Sequence, residues 1–163
     1  KKTMRVLSGQ NIQMVNLHAA GSIPMMEAAL EGLTREDGSR PLLIAVTQLT
    51  SIDEETMKRD ILIDKPLEEV VIHYARCAKK AGLDGVVCSP LEAERVHTAC
   101  GIEFLTVTPG IRFEGNEPGD QKRVTTPAMA KISGSDYIVV GRPVTEAKDP
   151  VEAYRRCLRE FTV

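Results

Sequence analysis

A chain of 163 residues with a formal charge of −2 is long enough to bury a core in one domain, and it lacks the basic excess needed to neutralise a nucleic-acid backbone. No apolar run approaches the ~20 residues of a membrane-crossing helix, and no apolar signal-peptide core follows Lys1-Lys2-Thr3-Met4-Arg5. The four cysteines and three histidines lie too far apart for a disulfide framework, a CxxC pair or a metal site. These features predict a soluble, cytoplasmic, single-domain protein over residues 1–163 with reduced thiols, no metal and no nucleic-acid or membrane partner.

In chain order, residues 1–8 read as the tail of a helix. Five short apolar runs then follow, at 14–17, 42–46, 85–88, 104–107 and 137–140. Their hydrophobicity is continuous rather than alternating, as parallel strands covered on both faces require. Segments of helical period separate them. In the clearest, 66–83, Leu67, Val70, Val71, Tyr74, Ala78 and Ala81 make one apolar stripe opposite Glu68, Glu69, Arg76, Lys79 and Lys80.

Helix starts are marked by Ser89-Pro90-Leu91-Glu92 and Asp149-Pro150-Val151-Glu152, each a capping residue, a proline at the first position and a glutamate at the third. Thr126-Pro127 repeats the first half, and Ser51 with Glu54 predicts a capping box for a short helix over 52–58. Gly82 stands where the helix before Leu83-Asp84-Gly85 must end. Strict alternation of strand and helix is compatible with a doubly wound sheet or with a barrel. Polar, ligand-type residues follow at least three strands, which suits a barrel rim. The fold class expected is therefore α/β, a (β/α)8 TIM barrel to which this chain supplies about the last five strand-helix units, strands 4 to 8.

The chemistry collects at the predicted strand ends. Arg112 follows the fourth run and Gly141-Arg142 the fifth, where barrels commonly build phosphate sites. A guanidinium holds two phosphate oxygens in parallel, and a glycine lets a backbone N–H approach the anion. Between them the connection 108–125 is far longer than the 2–6 residues usual for a βα loop, carries three glycines, and has Gln121 near its second hinge. It reads as a lid. Thr50, after the second run, carries a hydroxyl able to donate and accept at the edge of an amide-like ring. His18 ends the first run and stands only as a candidate.

Taken together, Leu17-His-Ala-Ala-Gly21, Ile44-Ala-Val-Thr-Gln-Leu-Thr-Ser51, Leu83-Asp-Gly-Val-Val-Cys-Ser89, Phe104-Leu-Thr-Val-Thr-Pro-Gly-Ile-Arg112, Asp120-Gln121 and Ile138-Val-Val-Gly-Arg142 resemble the orotidine 5'-phosphate decarboxylase family of bacterial type, across essentially the whole chain. The resemblance implies a homodimeric barrel that converts orotidine 5'-phosphate to uridine 5'-phosphate (UMP) without metal or organic cofactor. It implies that Thr50 meets the pyrimidine edge. Arg112 and Arg142, with the backbone of Gly141, take the 5'-phosphate, and Gln121 bridges lid, phosphate and base. The family's catalytic Lys and Asp-x-Lys-x-x-Asp set has no counterpart in this sequence. The expectation is that those residues lie upstream, that this chain holds no catalytic residue, and that it is inactive alone. Two other readings share the features: a sugar-phosphate decarboxylase or aldolase of the same fold, and a non-catalytic phosphate-binding half-barrel.

Overall fold

A computed structural model describes residues 1–115 and 123–162. After helix α1 (Lys2–Ser8) come strand β1 (Met14–His18), a 3-10 turn and α2 (Ser22–Leu33), then β2 (Leu42–Val46), α3 (Glu54–Asp60) and α4 (Leu67–Lys80). Strand β3 (Gly85–Val87) leads through a 3-10 turn to α5 (Ala93–Cys100), and β4 (Leu105–Thr108) is followed by α6 (Pro127–Ile132). Strand β5 (Tyr137–Ile138), the short α7 (Arg142–Thr145) and α8 (Pro150–Thr162) complete the order.

All strand pairs are parallel and the sheet order is β1-β2-β3-β4-β5. In a doubly wound sheet the order reverses at a switch point. Here it never does, which is the arrangement of a cylinder wall. The apolar run at 137–140 pairs over only two residues, although Val139 N still donates to the Thr108 carbonyl at 3.0 Å.

Burial explains the continuous hydrophobicity, and also where it fails. Leu43, Ile44 and Ala45 of β2 and Val86 of β3 are fully buried or nearly so, because helices cover one face and the strands' own side chains the other. Coverage on both faces does not extend to the two outer strands. Asn16 and His18 of β1 are exposed, and Tyr137 is 49% exposed. The main core lies between the sheet and α2, α4 and α5, and includes Val15, Met26, Leu33, Leu43, Val71, Ala75, Val86, Val96 and Phe104. The stripe of α4 is joined there by Ala75, which the period alone did not single out.

Two αβ turns share one construction. Gly82 (φ +83°) ends α4, with Gly82 N bonded to Lys79 O at 3.0 Å and Leu83 N to Ala78 O at 3.1 Å. Gly134 (φ +83°) ends α6 with the same pair of bonds, to Lys131 O and Ala130 O, both at 3.0 Å. A left-handed residue closing a helix in this way is where glycine is favoured. Two residues later an aspartate takes the first free N–H of the neighbouring strand: Asp84 accepts from Leu43 N and Asp136 from Thr106 N, each at 2.7 Å. The aspartates thus fix where each strand enters the sheet. Arg40 holds both oxygens of Asp84, one bond measuring 2.8 Å.

Candidate functional site

The residues after β2 form a tight turn. Thr47 donates through both its N–H, at 3.0 Å, and its hydroxyl, at 2.9 Å, to the Val87 carbonyl, and Ile52 N donates to Leu49 O at 2.9 Å. This buries Thr50 at the top of the sheet, 5% exposed. The helix that follows is capped differently from the sequence expectation. Asp53, extended at φ −101° and ψ 177°, caps it by accepting from Thr56 N at 2.9 Å, and the helix runs 54–60 rather than 52–58. Ser51 sits two residues too early to cap it. Glu54 instead accepts from Leu67 N at 2.9 Å and ties α3 to the start of α4.

Arg112 is positioned by a second small ladder. Arg112 N donates to Thr125 O at 2.9 Å and Thr125 N to Gly110 O at 3.1 Å, around a parallel bridge between Ile111 and Thr125. The two ends of the long connection are therefore paired with each other. The expected cap follows at once, with Thr126 accepting from Met129 N at 3.2 Å. Gln121 and the middle of the expected lid lie outside the described residues.

Gly141 precedes α7, and its carbonyl accepts from Val144 N at 2.8 Å and Thr145 N at 3.0 Å. A Cβ at this position would meet nothing within 4 Å. The space in front of the backbone is open, as approach by an anion requires.

Thr50, Arg112, Gly141 and Arg142 line one cavity of about 300 Å³, together with Val46, Val87, Cys88 and Val139 among others. It sits over the carboxyl ends of β2, β3, β4 and β5 and falls at the lower end of the range for small-molecule sites. A second cavity of about 640 Å³ shares Arg112 and Arg142 and continues toward α7 and α8. There the Arg156 guanidinium lies 4.2 Å from the centre of the Phe113 ring. His18 does not line either cavity. Strand pairing nonetheless places it level with Val46, Val87, Val107 and Tyr137 on the face that a barrel encloses.

Cys88 forms part of the smaller cavity's wall, and burial pushes its thiol up to about 12. It therefore stays a neutral thiol near pH 7 and offers no nucleophile. Among the described residues no group of three or more His, Cys, Asp and Glu side chains is arranged to hold a metal ion.

Sequence reasoning missed one element of the site. Arg123 forms a close ion pair with Glu92, their side chains 12% and 9% exposed, and it also donates to the carbonyls of Gln48 at 3.2 Å and Leu49 at 3.1 Å. Glu92 was legible as a capping residue, and it does accept from Ser89 N at 2.8 Å. Its second oxygen binds a residue 31 positions away, for which the local pattern holds no signal.

A parallel sheet whose order never reverses defines the β/α-barrel class, and here two arginines share a cavity at its carboxyl edge, where barrels place their sites. The family model described as orotidine 5'-phosphate decarboxylase / HUMPS family matches residues 1–157, and the chain belongs to that family. It is 54% identical over 164 residues to the orotidine 5'-phosphate decarboxylase of Bacillus cereus strain AH820, covering 99% of this chain and 69% of that protein. The crystal structure of orotidine 5'-phosphate decarboxylase from Lactobacillus acidophilus is 41% identical with a TM-score of 0.83, covering 99% of this chain and 69% of that one. The enzyme from Pyrococcus horikoshii OT3, 18% identical with a TM-score of 0.70, shows the fold alone. The architecture is thus part of a (β/α)8 barrel, as the strand pattern predicted.

Proposed function

We propose that this chain is the phosphate- and pyrimidine-binding portion of an orotidine 5'-phosphate decarboxylase, a lyase of pyrimidine biosynthesis that forms UMP and CO2. The observation that carries the reading is the single cavity lined by Thr50, Arg112, Gly141 and Arg142 in a chain belonging to this family. Arg112 and Arg142 hold the 5'-phosphate through charge-assisted bonds, with the backbone at Gly141 completing the clamp. Thr50 meets the edge of the pyrimidine, and Gln121 reaches phosphate and base from the long connection. Gripping a phosphate remote from the reacting carbon supplies binding energy that holds the ring in its reactive arrangement. The enzyme acts as a cytoplasmic homodimer, with residues 1–163 forming one part of the barrel domain.

Calorimetric competition tests this reading against the sugar-phosphate alternative. UMP is expected to bind at least about tenfold more tightly than ribose 5-phosphate, since loss of the ring's polar contacts is worth about one hydrogen bond or more. Equal affinities would assign the cavity to a plain sugar phosphate.

A further inference from the structure

Arg123 joins the two sides of the cavity without lining it. Its guanidinium donates to the carbonyls of Gln48 and Leu49, the residues directly before Thr50. Two residues along its own backbone, Thr125 is bonded in both directions to the segment carrying Arg112. The same guanidinium is paired with Glu92, whose other oxygen caps the turn after β3 at Ser89 N. A planar fork can serve a carboxylate and two carbonyls at once, whereas an ammonium on a flexible stem cannot hold the same geometry. Both charged side chains are largely buried, so losing either leaves an uncompensated charge.

We infer that Arg123 is a positioning residue that fixes the span between the Thr50 side and the Arg112 side of the cavity, and so favours ligands carrying a hydrogen-bonding ring and a phosphate at one set separation. This rests on the reading of the cavity as a UMP site. A ligand with two recognised ends gains from a preset span because its second contact is made without further ordering of the protein. A ligand with one end gains nothing from it. Removing Arg123 therefore separates the two kinds of ligand, which general loss of structure does not.

The test compares dissociation constants of UMP and inorganic phosphate for the wild-type chain, Arg123→Met and Arg123→Lys, with amide hydrogen exchange on each protein. Arg123→Met is expected to weaken UMP about tenfold or more while phosphate stays within about twofold, with Arg123→Lys between. The amides of Ile52, Arg112 and Thr125 should exchange about tenfold faster in Arg123→Met, and those of Ile44 and Val86 in the sheet should not. The inference is overturned if UMP and phosphate weaken in step, if UMP is unaffected, or if the three amides keep their protection. A wild-type chain that does not prefer UMP to ribose 5-phosphate refutes the functional reading instead. The amide exchange then decides by itself whether Arg123 ties the two segments together.

Discussion

Arg112 and Arg142 stand between the two cavities and face both, so each has room to meet an anion from the side where Thr50 lies. The proposed division of labour between them and Thr50 is testable one residue at a time. Replacing either arginine by alanine is expected to weaken UMP and inorganic phosphate together, by roughly 10- to 150-fold, the equivalent of about 1.5–3 kcal/mol for a charge-assisted bond. Under the proposed reading, Thr50→Val removes the hydroxyl assigned to the ring edge and leaves the arginine pair in place. It should weaken UMP by about two- to tenfold and leave phosphate binding unchanged. Calorimetric titration of the three variants with both ligands checks the pattern. If Thr50→Val instead weakens phosphate binding, the threonine belongs to the phosphate side and the placement of the base is wrong. That Arg112, Gly141 and Arg142 would meet in one cavity was legible because each follows an apolar run that becomes a strand, so all three emerge at the same edge of the sheet. Arg123 was not, since its carbonyl partner at Gln48 is 75 residues away and only the folded sheet brings them together.

The helices and strands were readable to the extent that their chemistry is local. Gly82 marks a helix end because a left-handed residue is needed there, and proline at the first helical position marks starts at Pro127 and Pro150. Where two capping residues compete within three positions the pattern is ambiguous: Ser51 and Asp53 both qualify, and backbone direction selects Asp53. Strand length failed at β5 because apolar content at 137–140 does not show how far a neighbouring strand extends. The aspartate at each strand entry was visible only as Leu83-Asp84-Gly85, and its role depends on a residue in another strand. Asp84 offers a stability test. Burial raises its carboxyl, but hydrogen bonds from Arg40 and from Leu43 N outweigh this and hold it below its ordinary value of 3.8. A carboxyl with a depressed folded-state value stabilises the fold above its unfolded-state value and loses that contribution as pH falls through the folded one. Thermal stability of the wild-type chain should therefore drop below about pH 4. Asp84→Asn should be less stable at pH 7 by about 1–3 kcal/mol, with a flatter acid limb. Melting curves from pH 3 to 7 on both proteins measure this, and parallel acid limbs would show that Asp84 is not the titrating group.

Across the whole molecule, the sheet as described presents two unpaired edges, β1 and β5, whereas the family's barrel is closed by eight strands. The chain spans 69% of the length of its Bacillus cereus relative. Its cavity lies at the carboxyl ends of adjacent strands and is complete enough to bring four of the expected ligand residues together. Binding and chemistry make different demands, however. When CO2 leaves, the bonding electron pair stays on the ring carbon, and that carbanion must be stabilised and then protonated by a nearby cationic acid. Arginine is ill suited to this role, because its guanidinium stays protonated under all ordinary conditions. Among the described residues the cavity is lined by Arg112 and Arg142 but by no lysine, and Cys88 stays a neutral thiol. On the proposed reading the cavity binds the substrate, while none of its described lining residues is a proton donor suited to the product-forming step. The purified 163-residue polypeptide is expected to bind UMP yet to show no release of CO2 from orotidine 5'-phosphate above the uncatalysed rate. Adding a separately produced segment of a family member that contains the Lys and Asp-x-Lys-x-x-Asp residues should bring turnover back, with a concentration dependence that reports its docking on the β1 and β5 edges. Turnover by the 163-residue polypeptide alone would mean that a group within this chain acts as the acid, and a lysine scan would then be the way to find it.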